Sequence, residues 1–402
     1  MSLAHGRHYL AIPGPSVMPD RVLQAMHQAA PNIYTGALTD MVPTIVADLK
    51  AIAGTTAHCA IYICNGHGTW EASLSNLLAQ GDKLLAVTTG RFGINWALHA
   101  RAMGAEVEDL DFGLRSPADP AALETRLRAD TTHEIRAVLA SHVDTATGVR
   151  NDIPALRAAM DAAGHPALLM VDCVASLGCD PFEMDAWGVD VMIAASQKGL
   201  MTPPGLGIVF FSDKAAKAQA RADRVTPYWD WAPRANPAEF YQHFGGTAPT
   251  HHLFGLRAAL DMIGEEGLAN VHARHATLAR AVWAAIDHWG AEGGTTELNI
   301  ADPSFRSHAV TAARIAPEHG TRLRDWLTAN AGVTLGIGLG MAPAGDPAWH
   351  GFFRVGHMGH VNAGMTLGLL ASMQAGMDAL GIPRGPGALD AAAAVCAAHP
   401  GA

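Results

Sequence analysis

Charge is scarce in this chain. Of 402 residues only 16% are charged, and the balance is negative, with a formal net charge of −10. A nucleic-acid footprint needs a basic face, so that class of partner is excluded. Long apolar runs are also missing. No stretch approaches the roughly 20 residues of a membrane span, and Met1-Ser2-Leu3-Ala4-His5-Gly6-Arg7 lacks the apolar core of a secretory signal. A cytoplasmic placement is expected. The five cysteines form no CxxC pair and no zinc spacing, which argues for reduced thiols rather than a disulfide framework. The 21 histidines do not suggest a metal centre: His251-His252 are adjacent, and His357 and His360 share a glycine-containing turn without a nearby carboxylate. No metal is expected. A P-loop and an early GxGxxG are absent, and Gly336-Ile337-Gly338-Leu339-Gly340 comes late with the wrong spacing. A nicotinamide dehydrogenase therefore lacks its phosphate fingerprint here.

Apolar residues, by contrast, make up 49% of the chain. With so little charge to cover a surface, extensive burial in a homo-oligomer is the expectation, and the length favours two domains. From about residue 61 to 212, short apolar runs alternate with helical spacing. Ala60 to Cys64, Lys83 to Val87, Val107 to Phe112, Ile135 to Ser141, Leu168 to Val171, Val191 to Ala194 and Gly207 to Phe211 read as strands. Continuous apolar strands separated by helices predict a mostly parallel sheet covered on both faces, with functional groups at the strands' C-terminal ends.

Two such ends carry chemistry. Asp172 closes the run Leu168-Leu169-Met170-Val171, and Lys198 follows Val191-Met192-Ile193-Ala194-Ala195-Ser196-Gln197. A lysine after an apolar strand is ordinarily a solvated loop residue. Lys198, however, opens the Gly/Pro-rich stretch Gly199 to Gly207, which pins the backbone beside the amine before another apolar strand begins. An amine and a carboxylate delivered to one sheet edge are what a pyridoxal phosphate enzyme needs, the first for a Schiff base and the second to keep the pyridine nitrogen protonated. The turn Asn65-Gly66-His67-Gly68-Thr69, between a strand and a helix, is the expected phosphate site, since a helix N-terminus favours an anion. Arg354, in Phe352-Phe353-Arg354-Val355-Gly356, offers a bidentate fork to a substrate carboxylate from a rigid strand.

Taken in order, Pro13-Gly14-Pro15-Ser16, Gly66-His67, Thr145-Ala146-Thr147-Gly148-Val149, Val171-Asp172-Cys173-Val174-Ala175-Ser176, Ser196-Gln197-Lys198-Gly199 and Phe353 to Gly359 resemble the class V aminotransferases of fold type I, and within them the alanine/serine–glyoxylate group. The likeness spans nearly the whole chain. It implies an α/β fold: a large domain (16–260) built on a mostly parallel seven-stranded sheet, a smaller C-terminal α/β domain (261–402), and an N-terminal segment (1–15) packing on the latter. It further implies a transaminase that moves an amino group from a small amino acid, serine or alanine, to a 2-oxo acid such as glyoxylate.

The same resemblance assigns residues. Lys198 becomes the Schiff-base lysine and proton carrier, and Asp172 the pyridine-nitrogen partner. Phe92 stacks on the ring, Val174 covers its other face, and Thr145 lies near its hydroxyl. Gly66, His67, Ser196 and Gln197 form the phosphate cup, which Thr247 completes from the neighbouring subunit of a homodimer. Two departures, Asn32 to Leu38 and Phe244, point to a reshaped pocket, so pyridoxamine–pyruvate or ureidoglycine–glyoxylate chemistry stays open. Desulfuration is disfavoured, because Gln197 precedes Lys198 and no cysteine lies between Cys179 and Cys396. The alanine-rich end, Ala391 to Ala402, is expected to fray.

Overall fold

A computed structural model describes residues 2–399 of the chain. Strand β1 (Tyr9–Ala11) comes first. Then β2 (His58–Tyr62), β3 (Lys83–Thr88), β4 (Glu106–Asp111), β5 (Ile135–Ser141), β6 (Leu168–Asp172), β7 (Val191–Ala195) and β8 (Gly207–Phe211) form one seven-stranded sheet in the order β2-β8-β7-β6-β5-β3-β4. The pairs from β7 through to β4 are parallel, while β8 runs antiparallel to both its neighbours, β7 and β2. Helices cover both faces, so neighbouring residues of one strand enter opposite cores: Leu85, Leu169 and Met192 face one, Leu84, Met170 and Ile193 the other. That is why these strands read as unbroken apolar runs. The edge strand β4 reads Glu-Val-Glu-Asp-Leu-Asp, and its charges discourage further pairing.

Beyond it, β9 (Glu297–Leu298), β10 (Val310–Arg314), β11 (Val333–Ile337) and β12 (Phe352–Gly356) join β1 in a five-stranded sheet of order β1-β11-β12-β10-β9. Here β1 pairs in parallel with β11, Leu10 opposite Thr334. The helix Thr250–Glu266 buries Leu253, Leu256 and Leu260 in the large-sheet core. The next helix, Leu268–Gly290, carries Val282, Ile286 and Trp289 into the second core with Phe353 and Val355 of β12. All five cysteines are free. No helix among the described residues is long and apolar enough to cross a membrane.

The chain end differs from expectation. Ala388–Ala397 is a helix, not a frayed tail, and Ala388 and Ala392 are buried against the second core. Alanine is the strongest helix former, and its small side chain lets two helices approach closely. Residues 400–402 lie outside the described residues.

Candidate active site

The parallel strands end on one side of the sheet, and a cavity of about 120 Å³ opens there. Gly66, His67, Trp70, Phe92, Thr145, Asp172, Val174, Gln197 and Lys198 line it, with Val143 and Ala175. They gather at the strands' C-terminal ends: β2 leads to Gly66 and His67 at the start of a helix, β3 to Phe92 in the first turn of the next, β5 to Thr145, β6 ends on Asp172, and β7 leads to Lys198.

Lys198 reaches back to the N-terminal segment, where its Nζ donates to the carbonyl of Pro13. Gly14 makes this approach possible: its φ is +100°, and a Cβ there would stand 2.6 Å from Nζ. Burial, and next the positive charge of Arg354, lower the amine to about 8 from 10.5, with Asp172 opposing. At pH 7 a pKa of about 8 leaves roughly a tenth of the lysine as free amine, several hundred times the fraction at the ordinary value. A nucleophilic amine follows.

Asp172 is 3% exposed. Its Oδ1 accepts from the amide of Val174 at 2.8 Å and its Oδ2 from Trp70 Nε1 at 2.8 Å. Burial raises its carboxyl to about 6 despite those two donors. One strand over, the buried Asp144 accepts from the amides of Phe92, Gly93 and Ala146, at 2.8, 3.2 and 2.9 Å. It thereby ties the first turn of the helix Arg91–Ala102 to the Thr145 loop. Gly90 is needed for this contact, because a Cβ there would lie 2.5 Å from Asp144 Cγ.

The helix Gly66–Ser75 points its N-terminus at the cavity. Asn65 caps it, accepting from His67 and Gly68 at 3.1 and 3.3 Å. Gln197 presents a buried Oε1 with no partner among the described residues. Half a turn of its amide exchanges that oxygen for a donor.

Three expected residues stand off the cavity wall. Ser196 is fully buried, but its hydroxyl donates to Pro203 O at 2.7 Å, and Thr202 Oγ1 donates to its carbonyl at 3.0 Å, so it shapes the 196–206 turn. Thr247 is exposed on the loop after the short helix Phe240–Phe244. Arg354 is 7% exposed and sits behind the Thr145 loop, donating from Nε to Ile337 O at 2.7 Å and from Nη1 to Thr145 O at 2.8 Å. Its Nη2 has no partner among the described residues, and burial lowers the guanidinium to about 10. Of the two departures, Phe244 packs in the large core and Tyr34 is 81% exposed.

Sequence reasoning missed the buried acceptor Asp144 and the polar use of Trp70. The latter had one signal: a buried indole usually finds an acceptor for its N–H.

The aminotransferase class-V profile matches residues 8–342. The chain belongs to the class-V aminotransferases. It is 38% identical to the serine–glyoxylate aminotransferase of Methylorubrum extorquens over 96% of this chain and 95% of that protein. It is 37% identical to the L-aspartate–glyoxylate aminotransferase of Paracoccus denitrificans over 92% and 91%. Among solved structures, the ureidoglycine–glyoxylate aminotransferase of Bacillus subtilis superposes with a TM-score of 0.84 at 25% identity, covering 98% of this chain and 99% of that one. The fold is accordingly that of the fold type I enzymes, and the cofactor is pyridoxal phosphate. The residues present fit that group: a partly buried amine, a buried carboxylate, an aromatic ring, and a buried, unpartnered amide oxygen in the same lining as the first residues of the Gly66 helix.

Proposed function

We propose that this class-V aminotransferase is a cytoplasmic homodimer that carries an amino group from a small L-amino acid, serine or alanine, to glyoxylate. The observation that carries the reading is the meeting of Lys198 and Asp172 at one cavity, with the Arg354 guanidinium behind its wall and near enough to lower the Lys198 amine. Its support on substrate is the likeness to serine–glyoxylate aminotransferases, 38% identical in M. extorquens and 35% in Arabidopsis thaliana.

When bound, the pyridoxal ring supplies an electron sink for charge developing at the substrate Cα. Lys198 Nζ holds the cofactor and afterwards carries the proton from Cα, a task suited to an amine whose pKa of about 8 is near neutral. Asp172 holds a proton at the pyridine nitrogen. Phe92 and Val174 would hold the ring by packing, and the Thr145 hydroxyl would offer it a hydrogen bond. Gly66, His67 and Gln197 take the phosphate. Ser196 joins them only if its hydroxyl leaves Pro203 O. Thr247, which is exposed, would contact the phosphate of a partner subunit, and the sites would then be shared. Arg354 Nη2 and the adjoining guanidinium edge receive the carboxylate of donor and acceptor in turn, its other nitrogens being fixed by Ile337 O and Thr145 O.

The test is a donor screen. Serine or alanine should bleach the visible absorbance of the bound cofactor, and glyoxylate should restore it. Bleaching by neither, with another amine active, would overturn the substrate reading and leave the family standing.

A further inference from the structure

Asp172 is held by a side chain as well as by backbone. Trp70, 1% exposed on the helix whose N-terminus faces the cavity, has one polar atom, and it lies 2.8 Å from Asp172 Oδ2. The ring is clamped in place: His67 and His99 meet it edge-on at 4.5 and 5.1 Å between centroids, and Trp96 stacks at 6.5 Å. Such a cage could exist for packing alone. An indole N–H, however, only donates, so it pairs with a carboxylate oxygen and not with the hydrogen of a carboxylic acid. With Val174 N on Oδ1, both oxygens already accept an N–H, and a proton arriving on either weakens one of those bonds.

We propose that Trp70 is a positioning residue for the cofactor, its indole N–H fixing the Asp172 carboxylate so that the remaining lone pairs meet the pyridine nitrogen. This rests on the role of Asp172 proposed above. The ionisable groups facing Asp172 are Lys198 after β7, which favours its charge, and Asp144 after β5, which opposes it. The neighbouring Cys173 thiol is itself pushed up by burial and stays neutral. Trp70 therefore supplies a charge-stabilising contact that does not titrate. It also links the phosphate end of the site to the ring nitrogen, because Gly66 and Trp70 lie on the same helix.

The experiment measures pyridoxal phosphate affinity of the full-length protein against pH in wild type, Trp70→Phe, Asp172→Asn and the double variant. Phenylalanine keeps an aromatic ring and loses the N–H. Loss of a charged hydrogen bond should weaken binding roughly tenfold or more near neutrality and move the acidic midpoint up by about one pH unit. In the Asp172→Asn background, where no carboxylate remains to be fixed, Trp70→Phe should change affinity less than about twofold. An unmoved midpoint in Trp70→Phe, or an equal loss in both backgrounds, overturns the proposal and leaves packing as the role. If Asp172→Asn itself binds like wild type, the role of Asp172 falls and this inference with it. Should Trp70→Phe fail to fold, replacing Trp70 by its sulfur isostere benzothienylalanine removes the N–H at constant shape, with the same expected and overturning results.

Discussion

Replacing Arg354 by lysine keeps a positive charge on β12 and removes a planar fork. In the wild type, Nε and Nη1 are spent on Ile337 O and Thr145 O at 2.7 and 2.8 Å, which aligns the remaining edge. Lysine has one nitrogen to offer, so it cannot bind both carbonyls and a substrate carboxylate with the same geometry. A hydrogen bond to a charged group contributes about 1.5–3 kcal/mol, which corresponds to a loss of about 10- to 150-fold in kcat/KM for carboxylate donors. The buried Thr145 carbonyl also loses its donor, costing about 1–3 kcal/mol if water does not replace it, so the variant should melt earlier, whereas Ile337 O keeps the amide of Leu339 at 2.8 Å. The assay is the donor half-reaction, followed by bleaching of the cofactor absorbance across donor concentration, with thermal unfolding in parallel. A variant with unaltered kcat/KM for every carboxylate donor would refute the reasoning and place the carboxylate elsewhere.

Cofactor loading should depend on pH with two limbs. Below about 6, Asp172 gains a proton and can no longer pair with a protonated pyridine, so affinity falls on acidification; the attachment rate rises toward about 8 as Lys198 loses its proton. A titration of cofactor affinity and on-rate checks both, and a flat profile from pH 5 to 9 speaks against the assignment. Gly14→Ala should push the lysine amine out of place, since the added Cβ would lie 2.6 Å from Nζ, and should slow cofactor attachment with little change in fold by circular dichroism. Sedimentation should show a dimer, and Thr247→Ala should weaken cofactor binding in that dimer; a fully active monomer contradicts shared sites.

The sheet was legible because burial on both faces turns each strand into a continuous apolar run. Boundaries were less so. The first strand of the large sheet was expected at Ala60 to Cys64 and lies at His58–Tyr62, because Ile63 is apolar yet 43% exposed beyond it. Residues with distinctive chemistry at strand ends stood out, and Gly66, His67, Phe92, Thr145, Asp172, Val174, Gln197 and Lys198 line one cavity. Contacts made by ordinary groups did not. The Pro13 carbonyl on Lys198 joins positions 185 apart in the chain, and nothing local marks a proline carbonyl as a partner. Trp70 fell in an apolar helical pattern, which conceals what its nitrogen touches. Ser196 matched the motif, but its hydroxyl is turned to Pro203, a choice made by the 199–206 turn.

The most direct test is to trap the cofactor on the protein. Borohydride treatment of the pyridoxal phosphate-loaded enzyme, followed by proteolysis and mass spectrometry, should place the added mass on Lys198, and Lys198→Ala should take up no label and show no turnover. Label on another lysine, or full turnover in Lys198→Ala, would contradict the account.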